Sequence, residues 1–98
     1  MSNTKQNKTE TVVLKNGRTA PLSLLNSVRA EVKRGVDLLK PGQEFTLKEV
    51  CDPDYWKPLS QWIKVQAGWC MKHIERTEDL PIEFIKVRSN KHALYRRR

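Results

Sequence analysis

Cys51, Cys70, His73 and His92 are the side chains of this sequence that could hold a soft metal, and Cys70 and His73 are separated by two residues, a spacing zinc sites use. Such sites usually offer a second close pair. Cys51 and His92 each stand alone, and Cys70 falls in an apolar helical arc where a small buried thiol is ordinary. No metal and no cofactor are therefore expected. Asp52 and Asp54 flank Pro53, which is turn chemistry rather than a carboxylate pair for magnesium or acid–base work. There is no glycine-rich phosphate loop and no nucleophile with a plausible base. No catalytic residues are assigned, and a non-enzymatic protein is expected.

What remains is charge. Lys and Arg number 19 against 11 Asp and Glu, a net charge of +8, which favours a polyanionic partner such as nucleic acid. After Glu83 the acids stop while Lys86, Arg88, Lys91, Arg96, Arg97 and Arg98 follow. The two cysteines come without an apolar leader or a secretory cleavage site, so a reduced, cytoplasmic protein is expected. No apolar run approaches the roughly 20 residues that span a bilayer, so no membrane partner is expected.

These residues must be positioned by a chain of 98 residues, long enough for one modest core. Residues 1–10 are polar and read as a disordered leader, leaving residues 11–98 as a single domain with a basic end. Thr11 to Lys15 is β-branched and apolar, and Asn16-Gly17 marks a turn. From Leu22 to Lys40, Leu25, Val28, Val32, Val36 and Leu39 recur at helical steps, with Gly35 a weak point and Pro41-Gly42 the stop. Thr46 and Glu49 have capping-box spacing, with Phe45 placed to staple against Val50. Asp52-Pro53-Asp54 forces a turn packed by Tyr55 and Trp56. A longer helix is expected over 58–76, with Pro58 in its first turn. Ile82 to Ser89 and His92 to Arg98 then form a hairpin about Asn90-Lys91.

From about Leu22 onward this order resembles a winged helix-turn-helix: a first helix, a capped second helix, a turn, a third helix and a two-stranded wing, giving an α+β fold of three helices with a C-terminal β-hairpin and a short N-terminal strand. FTLKEV, the Asp-Pro-Asp turn, LSQWIKVQAGWCMKHI and IEFIKVRSNKHALYRRR carry the resemblance. The turn at 52–57 is longer than the three or four residues of a tight helix-turn-helix. In size and basic ends the chain also resembles small bacteriophage and prophage proteins.

The resemblance implies that the third helix enters the major groove and the wing touches the backbone. At 100° per residue, Leu59, Ile63, Ala67, Cys70 and Ile74 share the core side, and Gln61, Lys64, Gly68, Lys72 and Glu75 the opposite side. Gln61 and Lys64 suit base edges. Gly68 either clears a side chain where a duplex would press or lets another helix pack closely. Lys57 and Ser60 lie at the start of the helix. On the wing, if Ile85 and Val87 face the core, Lys86 and Arg88 point outward by strand alternation, with Asn90 and Lys91 at the tip and Arg96, Arg97 and Arg98 extending the basic surface. The expected partner is double-stranded DNA, in the role of a transcriptional or DNA-transaction regulator, and a homodimer on paired half-sites is a further expectation. The rival reading is a protein-interaction module, a phage-encoded adaptor or inhibitor of a host protein, with Trp62, Val65 and Trp69 as its exposed flank.

Overall fold

The structure is a computed structural model that describes residues 10–89 and 91–98. Residues 1–9 of the expected leader, and Asn90 at the expected wing tip, lie outside the described residues.

The described chain opens with a complete hairpin where one strand and a turn were expected. Strands β1 (Thr11–Val13) and β2 (Thr19–Pro21) pair antiparallel, with Val12 opposite Ala20. Gly17 takes φ +83°, a conformation that glycine adopts without Cβ strain, which closes the turn. Leu14 and Ala20 are buried and root this hairpin in the core.

Helix α1 (Leu22–Asp37) buries the face expected of it: Leu25, Val28, Val32 and Val36 are all in the core. Gly35 belongs to the same face for a steric reason. A Cβ there would come within 2.2 Å of the Val50 carbonyl oxygen, so the residue must lack one for α1 to meet the next helix. The short strand β3 (Glu44–Phe45) follows, then helix α2 (Leu47–Val50). The capping box is present. Glu49 donates its amide to the Thr46 hydroxyl at 3.4 Å, and the Thr46 amide donates to the Glu49 carboxylate at 2.8 Å.

The long turn contains a helix of its own, so the described residues form four helices where three were expected. Helix α3 (Pro53–Trp56) starts on Asp52, whose carboxylate accepts the Asp54 amide at 2.8 Å, with Pro53 in the first turn. It is tied to α1 twice. The Tyr55 and Ser27 hydroxyls are 2.7 Å apart, and the Asp52 amide donates to Glu31 at 2.9 Å. Helix α4 (Gln61–Thr77) therefore begins three residues later than the expected position 58. Ser60 is its cap, accepting the Ile63 amide at 3.2 Å. Pro58 lies in the link between the two helices.

Helix α4 buries Ala67, Cys70, Met71 and Ile74 against α1, and an Arg29–Glu78 ion pair of 2.6 Å fastens its end. Strands β4 (Ile82–Val87) and β5 (Ala93–Arg97) form the terminal hairpin, and β5 also pairs with β3, giving the antiparallel order β3-β5-β4. The register shifts between Phe84 and Lys86, leaving Ile85 as an extra residue. Such a bulge interrupts the two-residue alternation. Ile82 is accordingly the buried residue of β4, whereas Val87, expected inside, is 52% exposed.

Candidate functional site

Residues of the polar stripe of α4 line an open groove of about 830 Å³. Gln61, Lys64, Gly68 and Lys72 come from the helix, together with Arg76 from its last turn. Lys48 comes from α2, Lys91 and His92 from the β4–β5 turn, and Lys15 and Asn16 from the β1–β2 turn. Six lining residues (Lys15, Lys48, Lys64, Lys72, Arg76, Lys91) are cationic and none is acidic, although the chain carries 11 Asp and Glu. Among the described residues, none of these six cations enters an ion pair. Like charges gathered in one concavity reinforce each other's field and attract anions.

Aromatic rings support two of the ammonium groups. Lys64 Nζ lies 5.7 Å from the Trp56 ring centroid and Lys72 Nζ lies 5.2 Å from that of Phe84, geometry in which the ring face attracts the cation. Tyr95 also lines the groove, and its buried hydroxyl has no hydrogen-bond partner among the described residues. Burial pushes the Tyr95 pKa above the usual phenol range, so the group remains a neutral donor.

Gly68 lies where a Cβ would meet nothing within 4 Å. Close packing by another helix is thus not what this glycine serves in the described fold. Its effect is to lower the floor of the groove between Lys64 and Lys72.

The other residues singled out from sequence divide among several places. Val65 and Trp69 line the groove beside the lysines, so that flank and the basic stripe are one surface. Trp62 stays outside the groove, 59% exposed, with its ring edge-on to Trp69 at 5.5 Å. Lys57 and Ser60 are exposed at the α3–α4 junction. Lys86 and Arg88 line a second hollow, next to Glu44 and Glu49. Arg96 hydrogen-bonds Glu83, and Arg98 Nε lies 3.9 Å from the same carboxylate. Arg97 donates through its guanidinium to the Leu39 carbonyl. Arg96 and Arg97 therefore belong to the sheet and are not a free tail. Lys15, Lys48 and Arg76 were not singled out from sequence; the basic residues Lys15 and Arg18 around the Asn16-Gly17 turn were the available signal for the first.

Both cysteines are buried, and burial raises their pKa values, to about 12 for Cys51 and about 11 for Cys70. Among the described residues no group of three or more His, Cys, Asp and Glu side chains is placed to hold a metal ion. His73 instead accepts the Lys15 amide on Nδ1 at 3.1 Å. No helix among them is long and apolar enough to cross a membrane.

A model of the family described as Domain of unknown function (DUF1413) matches residues 30–97. The chain belongs to the DUF1413 family. The matched span begins within α1 and includes α4 and both strands of the terminal hairpin, whereas β1 and β2 precede it. No curated protein and no solved structure matches the chain.

Proposed function

We propose that this DUF1413 member is a winged-helix protein that binds double-stranded DNA through the groove on α4 and serves as a regulator of transcription or another DNA transaction in the cytoplasm. The order of elements supports the fold assignment. Strand β3 lies between the first two helices and pairs with β5, α4 follows a capped helix, and β4 and β5 close the chain as a hairpin. Helix α3 then occupies the lengthened turn.

The observation that carries the functional reading is the carboxylate-free lining: six cations, none in an ion pair among the described residues, surround a helix face with a glycine at its centre. A duplex presents a dense row of phosphates to such a surface. Lysines at Lys48, Lys64, Lys72 and Lys91 position the backbone, and Gln61 with Lys64 probes base edges. Lys86, Arg88 and Lys57 lie farther out and contribute to the long-range field.

The test is fluorescence anisotropy with duplex DNA across a range of salt concentrations. Binding should weaken steeply as salt rises, and Lys64→Ala/Lys72→Ala should reduce the slope of log K against log salt by about 0.9 for each phosphate no longer neutralised. Absence of binding at low salt overturns the reading. The exposure of Trp62 favours the protein-interaction reading instead, and loss of a protein partner on Trp62→Ser, with no DNA binding by the wild type, would establish it.

A further inference from the structure

The β1–β2 hairpin precedes the residues that the family model matches, yet its turn reaches the candidate groove. Its attachment to α4 is specific. The Lys15 amide donates to His73 Nδ1 at 3.1 Å, and the Arg18 guanidinium carbon lies 4.9 Å from the Trp69 ring centroid. The turn itself is preorganised: the Arg18 amide donates to the Asn16 side chain at 3.0 Å, and the Leu14 amide to the Arg18 carbonyl at 2.8 Å. Leu14 and Ala20 anchor the hairpin base in the core.

The location of these tethers on α4 matters. His73 is one residue on from Lys72, about 100° around the helix, and the Lys72 ammonium rests over Phe84 of β4. The β1–β2 hairpin thus holds one flank of α4 and the β4 side holds the other. On the helical wheel Val65 and Arg76 fall between Lys72 and His73, while Gln61 and Gly68 lie on the other side of Lys72. Each hairpin turn sends a lysine to the groove, Lys15 from the first and Lys91 from the second, and neither enters an ion pair among the described residues.

We propose that the β1–β2 turn is a second phosphate-contacting arm, so that two hairpins straddle the helix and Lys15 binds the phosphodiester backbone on the side away from the wing. This rests on the DNA-binding reading of the groove. Lys15 supplies the charge. His73, Trp69 and Arg18 are positioning residues: they fix where the arm stands.

The experiment compares wild type, Lys15→Gln, His73→Phe and the double variant by anisotropy with a mixed-sequence duplex at several salt concentrations, with circular dichroism to confirm folding. Lys15→Gln retains the amide that bonds His73, so the turn keeps its tether. It should reduce the salt slope by about 0.9 and weaken binding several-fold at low salt, equally for unrelated duplex sequences. His73→Phe should weaken binding by releasing the arm, and the double variant should be no weaker than the worse single one, because both changes remove the same interaction with phosphate. Wild-type binding with an unchanged slope in Lys15→Gln overturns the arm and leaves the groove assignment standing. Full additivity in the double variant overturns the positioning role of His73. Wild type that binds no duplex overturns both the arm and the groove reading.

Discussion

The α-carbon of Gly35 faces the Val50 carbonyl so closely that a Cβ would come to 2.2 Å from its oxygen. A backbone atom cannot swing aside as the end of a flexible side chain can, so α1 and α2 would have to separate. Although alanine is the better helix former by roughly 1 kcal/mol, Gly35→Ala should lower stability by about 1–3 kcal/mol through overpacking. Urea denaturation reads this directly, and a gain in stability would show that α1 and α2 meet more loosely than described.

Gly68 predicts the opposite sign. With nothing within 4 Å of its would-be Cβ, Gly68→Ala should stabilise the helix by up to about 1 kcal/mol. Gly68→Leu should leave the protein folded yet weaken duplex binding several-fold by filling the groove floor. Unchanged affinity in the leucine variant would count against an approach of the duplex to this part of α4.

The terminal arginines should separate by role. Arg97→Ala leaves the Leu39 carbonyl without its guanidinium donor and should cost about 1–3 kcal/mol in thermal or urea unfolding. The Arg98 side chain is 61% exposed and lies 3.9 Å from Glu83, so Arg98→Ala should change stability by no more than about 0.5 kcal/mol. Equal effects would mean that the guanidinium–carbonyl bond contributes nothing beyond an ordinary surface group.

Alkaline pH should destabilise the fold through its thiols. Burial raises Cys51 from 9.0 to about 12 and Cys70 from 9.0 to about 11. Above pH 9 the unfolded chain releases these protons while the folded chain keeps them, so their contribution is intact below pH 9 and is lost as pH rises towards 11–12. The loss is at most about 1.4 kcal/mol per pH unit for each thiol. Denaturation under reducing conditions at about pH 7, 9 and 10.5 should show the fall, and Cys70→Ala should lessen its steepness. At neutral pH both thiols should react slowly with thiol reagents until the protein unfolds.

Much of the scaffold is legible because its signals are local. The spacing of Val28, Val32 and Val36 defines the inner face of α1, and Thr46 with Glu49 defines the start of α2, where both capping bonds form. The Asn16-Gly17 turn is equally clear. Its second strand is less so, because Thr19–Pro21 is short and pairs only once β1 lies beside it. The start of α4 shifts because proline is compatible with both a first helical turn and a link, and the choice falls to the Ser60 cap. The bulge at Ile85 has no local mark, so strand alternation misassigns Val87.

The sequence by itself determined the basic balance, the inner face of the first long helix, the Thr46–Glu49 capping box, the Asn16-Gly17 turn, and the polar stripe of Gln61, Lys64, Gly68, Lys72 and Glu75, since each depends on residue type and a short repeat. Tertiary structure alone decided which charges act together. It brought Lys15 and Lys91 from two turns and Lys48 from a short helix to that stripe, left the described carboxylates outside the groove lining, and committed Arg96 and Arg97 to the sheet. It also gave the two helical glycines different meanings, Gly35 against a carbonyl and Gly68 in open space. Electrostatic and steric neighbours are set by distance through space, and for residues far apart along the chain that distance is fixed only when the elements pack.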